Sequence, residues 1–217
     1  EALMRWRNDR GESSPPSRFI PVAEYSRLIV ELGEWVLCSA CEQLRAWDRA
    51  GLPGLRMSVN VSPAQFRDPD FVGMARRCIL GYGIDPGRIE LEITESMALT
   101  DMEAVVDTLR RMRDFGVGIA VDDFGSGFSS LGHLQRLPLN RLKIDGSFVA
   151  DLSAGSSGAT IAEMIVRLGH MLGLSVIAEG VEAREQLDAL RRMGCQEIQG
   201  FYFSPPVPAD EFPALLG

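Results

Sequence analysis

Six polar residues, Asn60, Glu92, Asp122, Lys143, Glu179 and Gln199, recur along the chain at intervals of 20 to 36 positions. Each lies within or at the end of a short β-favouring run. The intervals match one strand, one helix and their connections. Singly, each has a plain structural reading: Asn60 as a cap for the turn at SPAQF, Glu92 as the outward residue of an alternating strand, Lys143 as a solvated strand end. Together they describe polar groups converging from successive strand ends on one site. The carboxylates near these positions are Glu1, Glu92, Asp122, Asp123, Glu179 and Glu182, set against Lys143, Arg5 and the amides of Asn60 and Gln199. The stretch AVDDFGSGFSS, residues 120–130, places two of these carboxylates side by side with no adjacent cation. As a structural element it reads as a helix cap and a surface turn. As a site it suits divalent cations, which relieve the repulsion between neighbouring Asp side chains. Oxygen donors without His or Cys select Mg²⁺ or Mn²⁺ over zinc, and two such ions a few ångströms apart serve phosphodiester cleavage.

The elements that position these residues are strands alternating with amphipathic helices. Strand patterns occupy residues 1–6, 55–61, 88–94, 117–123, 141–145, 174–179 and 195–201. Met102, Val105, Val106, Leu109 and Met112 recur at helical spacing and Gly116 supplies a stop; Leu187, Leu190, Met193 and Gly194 repeat the design. Residues 7–17 read as a polar loop. Parallel neighbours need crossover connections, so the fold class is α/β, and a doubly wound sheet and a (β/α)₈ TIM-type barrel both fit. The absence of a Gly-rich fingerprint after the first strand and the polar strand ends favour the barrel. Seven strands are visible. Because the chain opens inside a strand pattern, the eighth, N-terminal strand is expected before residue 1. The 217 residues form a single, N-terminally incomplete domain on this reading.

The net charge of −8 without a basic block argues against a nucleic acid polymer as partner. No apolar run approaches a membrane span and no signal peptide opens the sequence. Of the four cysteines, Cys38 and Cys41 form a CxxC, but they lie inside a helical pattern with no second pair. Reduced, structural cysteines are expected, in keeping with a cytoplasmic location. The two histidines, His133 and His170, have no ligand-like neighbours.

The sequence also resembles the EAL domain family, bacterial phosphodiesterases that hydrolyse cyclic di-GMP to linear 5′-pGpG. The resemblance rests on EALMRW at 1–6, FIPVAE at 19–24, NVSPAQF at 60–66, ELEITES at 90–96, DDFGSGFSSL at 122–131, LKIDGSFV at 142–149, IAEGVE at 177–182 and QGFYFSPPVP at 199–208. It implies that Glu1, Asn60, Glu92 and Asp122 hold a first metal. Asp123 reaches a second, with Glu179 and Gln199 supporting the metals or their waters. Glu1, Lys143, Asp123 and Glu179 become the catalytic set, with Lys143 beside the attacking water. Leu3, Arg5, Asp145, Glu182 and Pro205 are placed on the substrate. Glu95 becomes the anchor of the 122–130 loop, which the family uses to couple dimerisation to metal binding. The implied cofactors are two Mg²⁺ or Mn²⁺ ions per site, with Ca²⁺ inhibitory. The implied partners are cyclic di-GMP, a second copy in a homodimer, and sensor or GGDEF-type domains in a longer parent chain. No membrane contact is expected of this domain, although the parent could be membrane-attached. Departures are GSGF where the family has GTGY, and AEYSRLI where it has Thr-Gly after a short helix. Two alternatives stand beside this reading: a non-hydrolysing cyclic di-GMP receptor, and a barrel aldolase or isomerase using Lys143 as a Schiff-base nucleophile.

Overall fold

The computed structural model describes residues 1–98, 102–127, 131–152 and 156–216. Its strands are β1 (Trp6–Arg7), β2 (Ser13–Ser14), β3 (Met57–Asn60), β4 (Ile89–Thr94), β5 (Gly118–Phe124), β6 (Arg141–Ile144), β7 (Ser175–Ala178) and β8 (Glu197–Ile198). The helices before β5 are α1 (Pro16–Tyr25), α2 (Leu28–Arg49), α3 (Pro63–Phe66), α4 (Phe71–Gly81), α5 (Glu95–Ala98) and α6 (Met102–Phe115). Those after it are α7 (Leu131–Leu134), α8 (Gly146–Ala150), α9 (Ser157–Leu172) and α10 (Arg184–Met193). Strands β3 to β8 stand in chain order in one sheet, and the registers of β3–β4, β5–β6, β6–β7 and β7–β8 are all parallel. The fold is α/β, with the winding of a β/α barrel. The chain divides into two compact units, Glu1–Glu92 with Glu103–Gly118, and Ile93–Met102 with Ile119–Gly217.

In the first unit, α2 buries Ile29, Gly33, Leu37, Ala40, Cys41, Leu44 and Trp47, a stripe at helical spacing. It packs on α1, α3, α4 and β3. Helix α3 starts because Ser62 and Gln65 cap each other: the Ser62 hydroxyl accepts the Gln65 N–H at 3.4 Å and Gln65 Oε1 accepts the Ser62 N–H at 2.9 Å. That role falls to Ser62, so the cap reading of Asn60 is replaced. Helix α6 buries Val105, Val106, Leu109 and Met112, and Gly116 at φ +105° ends it. The Met102 side chain, which also entered the helical pattern, lies outside the described residues.

Two expectations are corrected here. EALMRW is not one strand: Ala2 makes a single parallel bridge to Val59, and β1 turns away to pair antiparallel with β2. The cause sits in the polar loop, where Asn8 Oδ1 accepts the N–H groups of Arg10 and Glu12 at 3.0 and 2.9 Å and closes a tight turn. The cysteines are not all reduced. Cys38 on α2 is disulfide-bonded to Cys78 on α4, with the Cα atoms 5.1 Å apart, because packing of the two helices brings those positions face to face. Cys41 and Cys195 are free and buried, and burial pushes each thiol up to about 11.

In the second unit the core strands carry Ile119, Val121, Leu142, Ile144, Val176 and Ala178 inside, and α9 packs on β6, β7, α8 and α10. Leu187 and Leu190 of α10 are buried as the spacing requires, whereas Met193 is only half-buried. Among the described residues no helix is long and apolar enough to cross a membrane.

Candidate active site

In the second unit, the C-terminal ends of β5, β6, β7 and β8 and the loops that follow them carry the polar residues. Neighbouring residues on a strand point to opposite faces, so Asp122 and Asp123 would ordinarily be separated. Two features remove that restriction. The β5–β6 register shifts between Val121 and Phe124, and Asp123 takes φ 53°, in the left-handed region. The result brings one carboxylate oxygen each from Asp122, Asp123 and Glu179 within 4.8 Å of one another. A non-glycine residue at such an angle is uncommon and marks a position held by its surroundings.

Lys143, at the end of β6, is not a solvated strand end. It is only 2% exposed, and its Nζ lies 3.0 Å from Asp122 Oδ1 and 2.7 Å from Glu179 Oε1. An ammonium taken out of water requires such partners. One residue pair beyond, Asp145 caps α8 by accepting the Ser147 N–H at 2.7 Å. Burial, then the charges of Asp122 and Asp145, push the Asp123 carboxyl up to about 6. For Asp145 burial also works upward, but hydrogen bonds from Ser147 and Asp123 outweigh it and hold the carboxyl below its ordinary value. The two neighbouring carboxyls are thus driven in opposite directions, Asp123 upward and Asp145 downward.

Glu179 is fixed through its backbone, its N–H donating to the Ile144 carbonyl at 3.2 Å. The next residue, Gly180, sits at φ +69°, and a Cβ there would come within 3.2 Å of the Gly146 Cα. Only glycine lets the two loops approach so closely. Gln199 donates its N–H to Ala178 at 2.8 Å and accepts that of Val181 at 3.1 Å. Glu95 is 3% exposed, and its Oε2 accepts the N–H groups of Gly125 and Gly127 at 2.9 and 3.3 Å. Residues 128–130, which belong to the same sequence block, lie outside the described residues, as does the His133 side chain.

In the first unit, Glu1, Asn60 and Glu92 are gathered. Asn60 Nδ2 donates to Glu1 Oε1 at 2.6 Å, Asn60 pairs in register with Glu92, and Glu92 is 3% exposed. Leu3, Arg5, Glu182 and Pro205 are surface residues, and Arg5 Nη1 bonds the Met4 carbonyl at 3.0 Å. Two features escaped the sequence reading. The left-handed turn at Asp123 leaves no signature except the adjacent aspartates themselves. Gln186, whose side chain holds the backbone after Glu179, carried one: a glutamine at the third position of a helix.

The donor set of the second unit is made of carboxylate oxygens, with no His or Cys among the described residues of the cluster. It fits a hard divalent cation. The EAL domain family model matches residues 1–206. The bifunctional diguanylate cyclase/cyclic di-GMP phosphodiesterase MucR of Pseudomonas aeruginosa is 42% identical over 216 residues, 100% of this chain and 32% of MucR. The oxygen sensor protein DosP of Escherichia coli is 41% identical over 216 residues, 100% of this chain and 27% of DosP. The chain thus spans a third or less of the length of these relatives. The solved structure of the MucR phosphodiesterase in complex with c-di-GMP superposes with a TM-score of 0.92 at 41% identity, covering 97% of this chain and 85% of that one. With the family model matching nearly its whole length and the fold shared throughout, this chain belongs to the EAL domain family.

Proposed function

We propose that the chain hydrolyses cyclic di-GMP to linear 5′-pGpG with the help of two Mg²⁺ or Mn²⁺ ions. The observation that carries this reading is the buried Lys143 ammonium, bracketed by Asp122 and Glu179 beside a third carboxylate, Asp123. When bound, the ions would polarise a phosphate oxygen and acidify a water. The ligand set is the one the resemblance assigns: Glu1, Asn60, Glu92 and Asp122 for one ion, Asp123 for the other, and Glu179 and Gln199 in support. Water adds across the phosphorus–3′-oxygen bond; its hydroxyl goes to phosphorus and a proton ends on the leaving 3′ oxygen. Charge grows on the phosphate oxygens as this happens, and Lys143, fixed by its two carboxylates, is placed to balance it. Leu3, Arg5, Asp145, Glu182 and Pro205 serve the substrate, and Glu95 sets the loop that follows Asp123.

A Schiff-base role for Lys143 fits less well, because an ammonium held between two carboxylates has no lone pair to offer. The homodimer belongs to the same proposal. On α9, Met164 and Met171 are 59% and 79% exposed, and they line a groove of about 740 Å³ together with Glu95, Gly125 and Gly127. A second copy seated there would touch the loop anchor directly. Cytoplasmic location and further signalling domains in a longer parent are proposed on the resemblance alone.

The test is incubation of the purified chain with cyclic di-GMP and Mg²⁺ or Mn²⁺, with products resolved by chromatography. Formation of pGpG that stops in excess chelator and in Ca²⁺ supports the proposal. Binding without product makes the domain a receptor, and turnover in excess chelator removes the metal mechanism.

A further inference from the structure

The segment from Glu179 to Ala183 joins β7 to α10 and must place its backbone N–H groups somewhere. Glu179 donates to the carbonyl of Ile144, the last residue of β6, and Val181 to that of Gln199 in the loop after β8. Glu182 and Ala183 have no such carbonyl among the described residues. Their N–H groups both donate to Gln186 Oε1, at 2.8 and 2.9 Å. Helix α10 begins after Ala183, which has no side chain able to cap it, so the usual reciprocal cap is reduced to its glutamine half. The other end of the same amide is also used: Gln186 Nε2 donates to the Val149 carbonyl at 3.1 Å. Val149 is fully buried in α8, the short helix that Asp145 caps. One half-buried side chain therefore ties the backbone under Glu182 to the helix that Asp145 begins.

We propose that Gln186 is a positioning residue for substrate binding, ordering the backbone that presents Glu182; this rests on the hydrolysis reading above. The two halves of its amide have separable tasks. The oxygen orders the Glu182–Ala183 backbone, and the nitrogen fastens that backbone to α8. Gln186→Leu removes both. Gln186→Glu keeps an acceptor for the two N–H groups, favoured at a helix N-terminus, and loses the donor to Val149.

Steady-state kinetics on cyclic di-GMP at saturating Mg²⁺ separates these tasks from simple stability. Gln186→Leu raises KM about 5–20-fold with kcat within about threefold, the loss of two accepted hydrogen bonds on the substrate side. Gln186→Glu returns KM to within about twofold of the unsubstituted chain, while the thermal midpoint stays lowered in both variants because neither donates to Val149. An unchanged KM in Gln186→Leu overturns the proposal, as does a Gln186→Glu variant whose KM stays as high as that of Gln186→Leu. If the unsubstituted chain forms no pGpG, it is the hydrolysis reading that fails. Amide hydrogen exchange then decides the role of Gln186. Protection at Glu182 and Ala183 that survives in Gln186→Leu overturns it, and protection lost there but restored in Gln186→Glu supports it.

Discussion

Two adjacent carboxylates and a buried ammonium make the residue scale an electrostatic problem. Asp123 carries a value of about 6, raised first by burial and then by Asp122 and Asp145. Between roughly pH 4 and 6 the folded, metal-free chain holds a proton that the unfolded chain has already released. This group's contribution to stability therefore falls as pH rises through that window and is flat above it. Asp123→Asn, which cannot ionise, should lose that dependence. The check is thermal unfolding of both proteins without metal across pH 4 to 7, and parallel profiles would show that Asp123 does not titrate there. Lys143 poses the complementary case. Lys143→Met leaves Asp122 and Glu179 facing each other across an apolar side chain and takes away the positive charge. Turnover should drop by about 10²–10³-fold with a smaller change in KM, read from steady-state kinetics. The strand-end spacing made Asp122, Lys143 and Glu179 legible as a group. It left unread that Lys143 is buried between the other two, because a strand pattern does not say which side of a strand end the following loops will cover.

At the scale of elements, the junctions carry what the hydrophobic pattern does not. Helix periodicity located α6 and α10 well, and β3 to β8 each coincide with an expected run, β5 passing its end by one residue at Phe124. EALMRW failed as a strand because the Asn8 side chain supplies hydrogen bonds that pull Trp6 and Arg7 into a local hairpin. The α1–α2 junction holds another such detail. Arg27 sits at φ 61°, in the left-handed region that favours glycine. A side chain there costs about 1 kcal/mol, so Arg27→Gly should raise the thermal midpoint by about 2–4 °C, whereas Arg27→Ala, which keeps a Cβ, should not. A gain in both variants would trace the effect to the arginine side chain instead. The Cys38–Cys78 bond joins α2 to α4 across 40 residues of sequence. Closing a loop of that length stabilises by about 2–4 kcal/mol. The double variant Cys38→Ala with Cys78→Ala should therefore melt several degrees lower in a calorimeter. An unchanged midpoint would mean that the bond contributes nothing to the fold. Its pairing was hidden because CxxC draws attention to the near cysteine, whereas the true partner lies on another helix.

Over the whole molecule, charge sets how a substrate arrives. The chain carries a net charge of −8, and cyclic di-GMP is a dianion. Two divalent cations would still leave the chain negative. Long-range encounter is thus repulsive even though the proposed site would take a phosphate. Raising ionic strength from about 0.01 to 0.15 M shortens the screening length from about 30 to 8 Å and hides most of that distant charge. Groups in direct contact are screened far less, so binding inside the site changes little. At saturating Mg²⁺, kcat/KM should therefore rise by about twofold over this range, with kcat nearly constant. Stopped-flow binding of a fluorescent cyclic di-GMP analogue gives the same information as an association rate. A steep fall in either quantity with added salt would mean that a local positive surface, with exposed Arg5 as the first residue to substitute, outweighs the net charge and steers the substrate in.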